Sequence, residues 1–95
     1  MARRAVATED AIAAVCTEAV QANLPHALER CDVAWRAYDR VVQAQDALLA
    51  ALEAFQAAQA LGEDPDEAGL LRASLAAGKA MRELDAAYRS LGGDS

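Results

Sequence analysis

Histidine, lysine, proline, cysteine and aromatic side chains are all scarce in this chain: one His, one Lys, two Pro, two Cys and four aromatics among 95 residues. Each shortage removes a class of chemistry. A single histidine, His26, with Cys16 and Cys31 in no CxxC or CxxH spacing, cannot supply four good zinc ligands from one chain. It cannot complete a Ser/His/Asp arrangement either, because Ser74, Ser90 and Ser95 have no base near them in sequence, and no Gly-rich strand-to-helix phosphate loop is present. These gaps predict a protein that is not an enzyme and carries no cofactor.

Bases are fewer than acids, nine against fifteen, which gives a net charge of −6 and makes a nucleic-acid backbone an unfavourable main partner. Long apolar runs are missing too. The weakly charged stretch 41–61 contains Asp46, Glu53 and four glutamines, too polar for a bilayer span. In "MARRAVATED" no apolar segment separates the arginines from Glu9 and Asp10, so the reading is of a cytoplasmic protein with reduced thiols and no secretion signal.

What the chain has instead is alanine, 26 residues of it, against 19 for Leu, Ile, Val and Phe together. Alanine buries little area, has the highest helix propensity and loses no side-chain entropy, so the composition predicts long helices packed closely around a thin core. The fold expected is all-α: three helices at about 8–22, 25–61 and 64–91 in a single domain, with short flexible ends at 1–7 and 92–95. Thr8 before Glu9 and Asp10 reads as the first N-cap. Pro25 breaks the first helix from the second, with Asn23 as the expected cap of the second and Pro25 in its first turn. Gly62 marks the end of the second helix, and Asp64, Pro65 and Glu67 read as N-cap, N1 and N3 of the third.

Hydrophobic spacing describes how these helices meet. In the second, Ala34, Val41, Leu48 and Phe55 alternate with Ala37, Ala44, Ala51 and Ala58 as a heptad seam. A second row lies beside it, Leu28, Cys31, Trp35, Tyr38, Val42, Leu49 and Leu52, while Asp32, Asp39, Asp46 and Glu53 form an acidic ridge on the opposite side. In the third helix Ser74, Met81 and Tyr88 alternate with Leu70, Ala77, Leu84 and Leu91, and Gly78 predicts a close helix approach. The basic residues Arg72, Lys79, Arg82 and Arg89 of the third helix are expected to complement the acids of the second.

An apolar face this wide on the second helix needs more than one neighbour. The expected function is therefore protein–protein interaction or assembly: a homodimer or larger oligomer, with another protein as a further candidate partner. The interface predicted is Trp35, Ala37, Tyr38, Val41, Ala44, Leu48, Ala51, Phe55 and Ala58. The alternative is a small bundle holding a metal or cofactor through His26, Cys31 and nearby carboxylates. Cys16 and Cys31 stand equally far from the Asn23/Leu24 junction; if the first helix folds back there, the two thiols meet and oxidation links them within one chain. A kinked rod through Pro25 keeps them apart.

Overall fold

Thr8 begins the first helix as its sequence demands: extended at φ −90° and ψ 167°, it accepts a hydrogen bond from the Ala11 N–H at 3.2 Å through its hydroxyl, and Glu9 and Asp10 fill the first turn. The computed structural model describes residues 8–92, and over that span the chain forms three helices, α1 (Glu9–Gln21), α2 (Ala27–Ala60) and α3 (Glu67–Ser90), with no strand among the described residues. The ends expected to be flexible, 1–7 and 92–95, lie outside the described residues apart from Gly92. No helix among the described residues is long and apolar enough to cross a membrane.

Between α1 and α2 the chain reverses, so the kinked rod does not form. Asn23 ends α1 and does not cap α2: it sits in the left-handed region at φ 57°, its N–H bonds the Val20 carbonyl at 3.1 Å, and the Leu24 N–H bonds the Ala19 carbonyl at 3.0 Å. This is a complete Schellman ending with asparagine in glycine's usual place. Pro25 then falls before α2, not in its first turn. The Ala27 N–H bonds the Leu24 carbonyl at 3.1 Å, closing a tight turn with Pro25 second and His26, at φ 58°, third. A proline favours the second position of such a turn, and a positive φ at the third stops the helix from starting earlier.

At the far end α2 finishes as expected, with Gly62 at φ 74° and paired bonds from Gly62 N to Gln59 O and Glu63 N to Ala58 O. The start of α3 is displaced by two residues from the expected box. Asp66, not Asp64, is the N-cap, its carboxylate accepting from the Gly69 N–H at 2.8 Å. Either aspartate could cap, but Pro65 placed before the cap keeps its missing N–H out of the helix altogether.

The two long helices run antiparallel against each other, and α1 lies mainly on α2. The molecule extends 58 × 31 × 18 Å. Its buried residues are Ile12, Val15 and Ala19 from α1, Ala27, Cys31, Ala34, Ala37 and Val41 from α2, Ala77, Ala80, Leu84 and Ala87 from α3, and Leu91. Seven of these thirteen are alanines, so the thin core read from composition is what forms. It is also lopsided. Val41 is the last fully buried residue of α2; Ala44, Leu48, Ala51, Phe55 and Ala58 continue the seam half-buried.

In α3 the contact side differs from the expected seam. Ser74 is exposed, whereas Ala80 and Ala87 are buried and Ala73 half-buried; Met81 and Tyr88 pack on the edge of the core. The contact is thus centred on Ala77, Leu84 and Leu91 with an alanine row on one flank. Gly78 makes no close approach: a Cβ there would meet only the Arg82 Nη1, at 3.5 Å. Charge pairing also departs from the expectation. The interhelical pair Arg40 Nε to Glu83 Oε1, 3.6 Å, has its base on α2 and its acid on α3. Both side chains are about half exposed, so its contribution is about 0.2–1 kcal/mol.

Candidate interaction surface

Where α1 stops determines which part of α2 is left uncovered. Cys16 and Cys31 pack on the same core, one from each side of the α1/α2 contact. Because both helices rise about 1.5 Å per residue and run in opposite directions, Glu9, seven residues before Cys16, lies level with Tyr38, seven after Cys31. Of the second row α1 thus covers Cys31, Trp35 and Tyr38, while Leu28 beside the turn stays 75 % exposed. Trp35 and Tyr38 are half-buried against the core, their rings edge-to-face at 6.1 Å and 85°. Beyond them none of the described residues packs over the same row: Val42 is 39 % exposed, Leu49 56 % and Leu52 39 %.

The Arg40–Glu83 pair fixes the register of the hairpin. Counting away from it in opposite directions brings Leu52 level with Leu71. Arg40 and Glu83 mark one side of the hairpin, and by helical spacing Val42, Leu49 and Leu52 of α2 share the other side with Leu71 and Gly78 of α3. Leu71 is 60 % exposed, and Leu75 one turn along is similarly bare. So among the described residues the groove between α2 and α3 is filled by α1 at one end and open at the other, with the exposed acids Asp39, Asp46 and Glu53 along its α2 edge.

The predicted interface residues divide accordingly. Ala37 and Val41 are buried in the contact between α2 and α3, Ala44, Leu48, Ala51, Phe55 and Ala58 are half-buried along the same seam, and Trp35 and Tyr38 are half-buried beside α1. The residues that stand free are their neighbours Val42, Leu49, Leu52 and Leu71. The signal for them was present in the sequence as the second row, but which part of a row is covered depends on the length and direction of α1.

The groups named for a metal or cofactor are not brought together. His26 is exposed at the turn with its Nδ1 3.5 Å from Glu29 Oε1, whereas Cys31 faces inward to Cys16. Among the described residues no group of three or more His, Cys, Asp or Glu side chains is arranged to hold a metal ion. A shallow depression beside the turn, lined by Val20, Leu24, His26 and Leu28, is open to solvent. Comparison with protein-family models, curated proteins and solved structures finds no match to this chain.

Proposed function

We propose that this chain is a non-enzymatic protein–protein interaction module that assembles with a second copy of itself through the open half of the α2/α3 groove. The observation that carries the reading is the bare row Val42, Leu49, Leu52 and Leu71, which continues a groove that the protein itself fills with a helix at the other end. From Val42 to Leu52 that strip runs about 15 Å, and at about 15 Å wide it offers roughly 225 Å² per copy, a small apolar patch.

A second copy suits the surface because it presents the same apolar strip. A two-fold axis passing near Leu49 sets open half on open half and leaves each α1 beyond the partner's hairpin turn. The two strips together bury roughly 450 Å², well below the size of a standard stable interface, so the association is weak and concentration-dependent. The net charge of −6 on each copy opposes it, and added salt strengthens it.

Sedimentation equilibrium from about 10 to about 500 µM tests the proposal. The expected result is a rise in mass from 10.0 kDa toward twice that value. Leu49→Glu abolishes the rise and leaves the melting of the dilute protein unchanged, whereas Ala51→Glu lowers the melting temperature because Ala51 is half-buried in the intrachain seam. A mass fixed at one chain over the whole range overturns the self-association and leaves the strip to a different protein.

A further inference from the structure

We propose that Cys16 and Cys31 form a redox clasp, an intramolecular disulfide made and broken with the thiol–disulfide balance of the surroundings, which fastens α1 to α2. The two residues come from different helices, and the turn at Asn23–His26 brings them together on the inner side of α1, Cys31 buried and Cys16 half-buried against the same core. Counted outward from the turn they stand at the same level of two helices that run in opposite directions, and both pack on the same core. That placement on facing sides is what a disulfide between helices requires.

The clasp acts on the part of the molecule that is held least firmly. At 13 residues α1 is at the length where an isolated helix is marginal in water, so its order depends on docking through Ile12, Val15 and Ala19. A covalent bond halfway along α1 supplies what that narrow apolar contact lacks. With the clasp open, α1 is free to lift and bare Trp35 and Tyr38, extending the exposed strip along α2. With it closed, the groove is permanently half filled.

The chemistry needs an oxidant, and a low-molecular-weight disulfide such as glutathione disulfide suffices. Cys16, the more exposed thiol, gives its proton to water, and its thiolate attacks one sulfur of the oxidant. The S–S bond breaks, and the expelled thiolate takes up a proton. Cys31, deprotonated in turn, attacks the Cys16 sulfur of the mixed disulfide and releases the second small thiol. Two protein thiols lose two electrons and two protons, and one disulfide becomes two thiols.

Burial, with Cys31 alongside, pushes the Cys16 thiol up to about 12. A thiol held protonated in this way forms the attacking thiolate slowly, so exchange is slow while α1 is docked. The clasp thus responds to sustained oxidation and ignores brief exposure.

The test is equilibration of the full chain in glutathione buffers of increasing oxidised fraction, followed by acid quenching, intact mass measurement and peptide mapping. The expected product is a monomeric chain lighter by two hydrogens, linked Cys16 to Cys31, reversed by dithiothreitol, with a thermal midpoint raised by about 10 °C or more. Cys16→Ser, at a half-exposed position, keeps the fold and loses the shift. A stable glutathione adduct on either cysteine, disulfides only between chains, or an intramolecular link that leaves the midpoint unchanged would each overturn the clasp.

Discussion

Arg30 Nη1 donates to the carbonyl oxygen of Ser90 at 3.0 Å and joins the first turn of α2 to the last residue of α3 across 60 positions of sequence. That carbonyl is one of the orphan acceptors at a helix C-terminus, where the dipole also favours a cation, so a single guanidinium both caps α3 and closes the base of the hairpin. Arg30→Ala is expected to lower stability by about 1 kcal/mol in urea denaturation. Arg36→Ala removes an exposed pair with Asp32 at 3.0 Å within one helix and changes stability by less than about 0.5 kcal/mol. Equal effects would mean that the Arg30 contact does not span the helices in solution.

His26 occupies the third position of its turn at φ 58° and ψ 33°, makes no side-chain cap hydrogen bond to α2, and is exposed. A left-handed conformation costs an ordinary L-residue about 1–2 kcal/mol and glycine almost nothing. His26→Gly should therefore raise stability by roughly 0.5–1 kcal/mol once the added entropy of the unfolded chain is subtracted. A loss of stability would show that histidine contributes to the turn through a contact such as Glu29 that outweighs the strain.

Gly78 lies inside α3 with room for a methyl group, its added Cβ at an ordinary 3.5 Å from Arg82 Nη1. Gly78→Ala is expected to stabilise the dilute protein by about 0.5–1 kcal/mol. Gly69→Ala behaves differently, since the new Cβ would collide with the Asp66 carboxylate and displace the α3 cap. The propensity gain and the cap loss are each about 1 kcal/mol, and the midpoint should barely move. Calorimetry of the pair separates the two sites.

The reduced protein should weaken in alkali. Cys16 holds its proton up to about 12 in the folded chain, against 9.0 when exposed. The folded state thus binds a proton that the unfolded chain releases between these values, so this contribution is complete below pH 9 and declines as pH rises through the window. Cys16→Ser should flatten that decline in denaturation measured from pH 8 to 11. An unchanged slope would assign the alkaline loss to other groups.

Leu84, fully buried, is the largest α3 side chain at the centre of the core, where all three helices contribute buried residues. Leu84→Ala is expected to cost about 2–5 kcal/mol and Leu75→Ala, on the surface, less than about 0.5. In a core where seven of thirteen buried residues are already alanine, little neighbouring bulk can move in to fill the space. Near-native melting of Leu84→Ala would contradict the placement of the core.

Much of this was readable from local pattern, because helix propensity, capping and heptad spacing act over a few residues. Thr8, Gly62 and the seam Ala34, Val41 and Ala37 stand where short-range rules put them. The caps that were misplaced, Asn23 and Asp64, had close competitors a few positions away, and the choice between neighbours rests on how the chain must turn to dock α1 and α3.

Sequence by itself determined that the chain would be helical, thin-cored and built around one very long helix, since alanine content and the spacing of glycine and proline leave no other regular structure. Tertiary structure alone decided that α1 folds back on α2, that it ends level with Tyr38, and that Cys16 meets Cys31 while Leu49 stays bare. The physical reason is that an apolar row carries no mark of which part will be covered. That depends on where another helix begins, which way it runs and how many residues it has before it ends.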